Sequence, residues 1–203
     1  DPSIKIEEVT ESLSILVKKG KTKSIGYSEI SPSSLRRASA IHHIAAVQSE
    51  YSLSTRAPEM GLVQTCKELG TALVAFSPVG RTFLTDNPLS YDIAQTLDFT
   101  KANPRFNQPN YDKNIILSDN FRNYSRDIGL ATATLSIAWL LAKGNHIIPI
   151  PGTRSVNHLK ELSAAMEVDV TDKMISEIEA ILPLGWVYGD RYSDAQWIGP
   201  ERY

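Results

Sequence analysis

Apolar positions along this chain alternate between a helical period and short continuous runs. In IKIEEVTESLSILVKKG they recur at helical spacing, and the segment ends on Lys18-Lys19-Gly20, which stops a helix. The apolar SIGYS predicts a first strand. SPSSLRRASAI then predicts a helix with Ser31 as N-cap and Pro32 in the first helical position. IAAVQSEYS reads as a second strand, and APEMGLVQTCKELG as a helix that closes on Gly70. TALVAFSPVG and HIIPIPG supply a third and a fourth strand. Between them an irregular stretch, 83–111, carries Pro88, Pro104 and Pro109, and is followed by helices near 112–128 and 132–143. Helices near 155–165 and 172–182 and an aromatic tail, 183–203, complete the pattern.

Strands separated by single helices imply βαβ crossovers and a parallel sheet. Four such strands make either a small open sheet or half of an eight-stranded barrel, and the pattern alone leaves both open. No Pro/Gly-rich or charged linker divides residues 1–203, so a single domain is expected. Composition adds little to this picture. With 203 residues, 42% hydrophobic and 22% charged, the chain is of ordinary globular type. A formal net charge of -2 offers no electrostatic basis for nucleic-acid or acidic-membrane binding. The most apolar run, ATLSIAWLLA, is too short to span a bilayer. Cys66 is the single cysteine, which excludes an intrachain disulfide and a thiolate cluster and fits a reducing cytoplasm. The chain opens on DPSIKIEEV without an initiator Met or a leading strand; Asp1 and Pro2 read as loop, with further chain expected upstream.

In α/β architectures chemistry belongs at the carboxyl ends of the strands. Those ends read Ser28-Glu29, then Gln48-Ser49-Glu50-Tyr51, then Ser77-Pro78-Val79-Gly80-Arg81, then Gly152-Thr153-Arg154. The last two each offer glycine, a hydroxyl and an arginine able to contact an anion in bidentate fashion. A helix opening at Ser155 would add free N–H groups and its positive end. Taken singly, either is an ordinary turn; taken as a pair at consecutive strand ends they predict an anion site. Ser28 and Gln48 have the groups to read a carboxamide, or to tie down loops. Glu29 and Glu50 are a candidate carboxylate pair whose separation the spacing leaves open. His42, His43, His146 and His158 show no metal spacing; His158 lies one turn into the last-named helix.

IGYSE, VQSEYSL, AFSPVGR and PIPGTRSVNHLKE, in this order, together with NPRF in the long loop and GDRY in the tail, resemble the second half of an aldo-keto reductase. The resemblance covers essentially the whole chain. It implies a (β/α)8 barrel of TIM type, with this chain supplying about four βα units, and NADPH/NADP+ as cofactor, bound without a Rossmann fold. It further implies that Ser28 and Gln48 hold the nicotinamide carboxamide, with Phe76 in the place of a stacking aromatic. Ser77, Val79 and Arg81 would follow the pyrophosphate. Gly152, Thr153, Arg154 and His158 would surround the 2′-phosphate and adenosine ribose, with Glu161 near adenine. Leu162 stands where the family often has an adenine-binding asparagine, and Thr82 replaces a frequent glycine.

The family's catalytic Asp, Tyr, Lys and His belong to the barrel's first half, so no catalytic residue is assigned here. The resemblance thus implies the cofactor-binding half of an enzyme that moves hydride reversibly between NADPH and an aldehyde or ketone. Alternatives are a non-catalytic NADPH-binding fragment or regulatory subunit, similar to potassium-channel β subunits, and a barrel enzyme acting on a sugar phosphate. Trp186, Tyr188, Tyr192 and Trp197 of the tail would wall the substrate site or pack the tail down. Half a barrel exposes sheet edges and an apolar inner face, so association is expected, with an amino-terminal half or between copies.

Overall fold

The structure is a computed structural model that describes residues 3–201; Asp1 and Pro2, expected as loop, and the last two residues of the tail lie outside them. Four strands form one parallel sheet in the order β1-β2-β3-β4: β1 (Gly26–Ser28), β2 (Ala46–Glu50), β3 (Ala72–Phe76) and β4 (Ile147–Pro149). The register aligns Ser28 with Gln48, Gln48 with Val74, and Val74 with Ile148, so these four share one face. The other face, with Val47, Leu73, Ala75 and Ile147, is buried.

Helices α1 (Ile6–Lys18), α2 (Pro32–Ile41) and α3 (Leu62–Leu69) cover that buried face together with α7 (Thr132–Ala142) and α9 (Asp172–Ile181). Trp139 of α7 is the largest fully buried side chain and meets Tyr51 edge-on at 5.8 Å. Local sequence explains the helix ends. Ser31 caps α2 by accepting from Ser34 N–H, Ser155 caps α8 (Val156–Ala164) and Thr171 caps α9 in the same way. Gly70 ends α3 in the left-handed region at φ 63, as a helix-terminal glycine should. The helix expected across APEMGLVQTCKELG is broken: residues 57–60 form a 3-10 turn, and α3 starts only at Leu62. Gly61, at φ 140, cannot belong to a helix, and Pro58 removes a backbone donor just before it.

The excursion between β3 and β4 is larger than any other connection. Its first part, 83–111, contains two one-turn helices, α4 (Tyr91–Ala94) and α5 (Asp98–Lys101), and a 3-10 turn at Pro104–Phe106. It has a small core of its own, Phe83, Ala94, Phe106 and Tyr111, in which Phe83 and Phe106 stack at 4.7 Å. The eighteen-residue α6 (Asn110–Asp127) follows and leads into α7. No described helix is long and apolar enough to cross a membrane.

Candidate functional site

Backbone strain concentrates where the strands end. Among the described residues four non-glycines adopt positive φ: Glu29 (53°), Ser77 (50°), Arg81 (52°) and Thr82 (83°), each in the loop that follows a strand. Each such conformation costs about 1–2 kcal/mol and persists only where surrounding contacts impose it. The loop after β3 holds three of the four, so its path is dictated by packing rather than by local preference.

That loop and the start of α8 enclose a cavity of about 210 Å³. Val79, Gly152, Thr153, His158 and Glu161 line it, and so do Thr82, Asp86, Asn87, Ala133 and Leu162. Five residues singled out from the sequence thus meet around one space, although 73 or more positions separate Val79 from the other four. Thr153 Oγ1 accepts from Ser155 N–H at 3.1 Å, and Ser155 Oγ accepts from His158 N–H at 3.4 Å, which shapes the turn into α8. Beyond Gly152 and its two chain neighbours, no described atom lies within 4 Å of where a Gly152 Cβ would stand, so protein packing does not require glycine there. The open backbone at Gly152 and the α8 N-terminus have the chemistry to receive a phosphate group; Arg154, next in the chain to the Ser155 cap, is exposed and has no ion-pair partner among the described residues. Arg154 itself is not among the residues lining the cavity. Asp86 also faces this space, but its carboxylate is engaged by Thr132, accepting from Oγ1 at 2.5 Å.

Ser28 and Gln48 lie side by side on the exposed sheet face, and the half-buried Phe76 pairs in register with Glu50. Arg81 sits elsewhere. Its Nη2 donates to Glu50 Oε2 at 2.5 Å, its Nη1 to the Arg191 carbonyl at 3.1 Å, and its guanidinium lies over Phe99 and Tyr192 at 4.5 and 5.0 Å. The side chain expected along the pyrophosphate therefore bonds to protein, so in this arrangement an anion beside residues 77–81 would rely on backbone N–H groups.

Arg81 belongs to an ion cluster that the sequence reading did not assemble. Glu29 and Glu50 are both buried, and between them stands Arg191 of the tail, which pairs with Glu29 through both terminal nitrogens and lies 3.8 Å from Glu50. Glu29 Oε1 also accepts from Glu50 N–H at 2.8 Å and from Ser49 Oγ at 3.2 Å. Arg105 of the long loop comes within 3.6 Å of Glu50. The two carboxylates are joined by guanidiniums rather than arranged for proton transfer. NPRF and GDRY contain Arg105 and Arg191, yet no periodicity links residues 86 apart in sequence, so only tertiary structure shows that they meet.

The tail packs over these strand ends. Trp186 is buried and donates to the Leu53 carbonyl at 2.8 Å, while Asn114 bonds both the N–H and the C=O of Tyr188. Tyr192 and Trp197 meet edge-on at 5.2 Å, beside Arg191. Glu201 accepts from Ser31 N–H at 2.8 Å and Ser34 Oγ at 2.9 Å, placing a carboxylate at the N-terminus of α2. Burial raises its pKa, but the hydrogen bonds from Ser31 and Ser34 outweigh this and hold it below the ordinary value. No group of three or more His, Cys, Asp or Glu suited to a metal occurs among the described residues.

A parallel sheet with alternating helices and a binding face built from strand-end loops defines a partial (β/α) barrel. Residues 1–183 match the aldo/keto reductase family, and the chain belongs to it. It is 40% identical over 192 residues to a probable aldo-keto reductase 1 of Glycine max, covering 95% of this chain and 55% of that protein. It is 37% identical over 190 residues to the NADP(+) aldo-keto reductase yakc of Schizosaccharomyces pombe, covering 92% and 56%. The chain thus spans about half the length of the curated relatives it matches. Among solved structures, the fold is similar to a glycerol dehydrogenase of Gluconobacter oxydans, with TM-score 0.76, 22% identity, and 90% and 55% of the two chains covered. It is also similar to a thermostable aldo-keto reductase solved with the inhibitor epalrestat, with TM-score 0.67, 24% identity, and 89% and 56% covered.

Proposed function

We propose that this chain is the cofactor-binding half of an NADPH-dependent aldo-keto reductase acting on an aldehyde or ketone. The observation that carries the reading is the cavity between the β3 loop and α8, lined by Val79, Gly152, Thr153, His158 and Glu161. Its polar groups suit the 2′-phosphate and adenosine end of the nucleotide, with the exposed Arg154 as the cation for the phosphate. Ser28 and Gln48 would hold the carboxamide at the other end, on the open face of the sheet. Phe76 would support the ring, and the loop at Ser77 and Val79 would carry the pyrophosphate. The cofactor supplies the hydride; these residues supply its position. The yakc relative is named for NADP(+), which supports the choice of cofactor.

Replacing Arg154 with Ala removes a charge-assisted contact worth about 1.5–3 kcal/mol. NADPH binding, followed by nicotinamide fluorescence, is expected to weaken by about ten- to a hundredfold while NADH binding changes little. Equal losses for the two nucleotides would count against the 2′-phosphate assignment.

A further inference from the structure

A second and larger cavity, about 390 Å³, lies at the carboxyl end of β2, between residues 53–60 and the tail. Arg105 lines it and is only 9% exposed. Buried guanidiniums are ordinarily satisfied by a carboxylate in fork-to-fork contact, and Arg105 is not. Glu50, its nearest carboxylate at 3.6 Å, is taken by Arg81 at 2.5 Å and by the Thr55 hydroxyl at 3.0 Å. Arg105 itself makes one short hydrogen bond, Nη1 to Thr55 Oγ1 at 2.8 Å, and a long one, Nε to the Gly189 carbonyl at 3.4 Å. Its Nη2 donates to no described residue. The Ser39 hydroxyl is the sole sealed side-chain polar atom without a partner among the described residues, so Nη2 retains accessible surface. The cavity is the space that Arg105 lines. Burial, together with repulsion from Arg81 and Arg191, pushes the Arg105 pKa down to about 10 despite the attraction of Glu50 and Asp190, a sign of incomplete charge compensation.

The rest of the wall narrows the ligand class. Met60 and Val187 provide apolar surface, backed by the buried Leu53 and Pro58, suited to a short alkyl chain and not to a small inorganic anion. Asp190, Glu50 and Glu201 also face the space, which disfavours a second negative charge. Arg56, on the same wall, is already paired with Glu59 and Glu179. We propose that this cavity binds a small aliphatic monocarboxylate, with its carboxylate on Arg105 and its alkyl part against Met60 and Val187.

Calorimetric titration of the full chain, without nucleotide and at matched ionic strength, tests this with propionate, inorganic phosphate and chloride. Propionate is expected to bind one-to-one, at least about tenfold more tightly than phosphate, the discrimination of one well-placed charge-assisted contact. Arg105→Lys should weaken propionate by about tenfold or more, since an ammonium cannot reproduce the fork. Should that variant fail to fold, Ala57→Trp serves instead, because Ala57 lines the cavity from an exposed position outside the ion cluster. Loss of propionate binding in folded Ala57→Trp supports the assignment. Absence of propionate binding to the native chain, binding unchanged by Ala57→Trp, or tighter phosphate than propionate would each overturn it.

Discussion

Thr82 shows how a single residue can record a conflict between chemistry and backbone. It holds a left-handed φ of 83°, which glycine tolerates best, yet its Oγ1 accepts from Leu89 N–H at 2.8 Å. The hydroxyl closes the loop that walls the 210 Å³ cavity, so it offsets the strain it incurs. Thr82→Gly strands the Leu89 donor at a cost of about 1–3 kcal/mol, relieves about 1–2 kcal/mol of strain and adds unfolded-state freedom of about 0.4–1 kcal/mol. It should therefore be less destabilised than Thr82→Ala, by up to about 1.5 kcal/mol. Thr82→Ala keeps the strain and strands the Leu89 donor, so a loss of about 1–3 kcal/mol is expected. Urea unfolding checks both points: a native midpoint for Thr82→Ala would mean that the hydroxyl does nothing for the loop, and equal midpoints for the two variants would mean that position 82 carries no strain. The sequence marks Thr82 only as a departure from a family glycine, and its partner seven residues on becomes visible only in the fold.

At the scale of elements, helices and strands followed local rules, whereas the joints between them did not. Ser31-Pro32, Ser155 and Gly70 announce helix ends because capping needs only neighbouring residues. The segment 83–111 has no such regular pattern, because its order comes from the Phe83–Phe106 core and from Arg122, which donates to the Phe83 carbonyl at 2.8 Å. The joint of α9 with α7 is ionic: Glu179 accepts from Lys143 Nζ and Arg56 Nη2, both at 2.9 Å, and from Trp139 Nε1 at 3.2 Å. Burial pushes the Glu179 carboxyl upward, but the hydrogen bonds from Lys143 and Arg56 outweigh that and hold its pKa below the ordinary glutamate value. A depressed folded pKa means that the unfolded chain binds the extra proton first as pH falls. The stabilisation is thus complete above the unfolded value of about 4.3 and is lost as pH falls through the lower folded one. Urea midpoints measured from pH 6 to 3 should fall with acidification, and Glu179→Gln should flatten that fall. An unchanged slope would assign the acid sensitivity elsewhere, with Glu7 and Glu201, also depressed, as the next groups to test.

The molecule as a whole presents one sheet face that its own helices do not cover. Ile148 is 49% exposed and Ile150 41%, in line with the open Ser28–Gln48–Val74 row, and β1 and β4 form the two edges of the sheet. Apolar sheet surface with open edges favours association. The 203-residue chain alone is expected to self-associate in sedimentation velocity, and Ile148→Lys should shift it toward monomer. A monodisperse monomer for the native chain would refute this. The alternation of strands and helices, helix ends such as Ser31-Pro32 and Gly70, and the motifs that place Gly152, Thr153, His158 and Glu161 near a strand end are all legible along the chain. They are so because periodicity, capping and turn chemistry act over a few residues. Tertiary structure alone decided that Val79 joins those four around one cavity, that Arg81 turns to Glu50, and that Arg105 and Arg191 converge on a buried carboxylate. Those contacts bridge dozens of residues, and charge pairing at such separations leaves no period for a sequence to display.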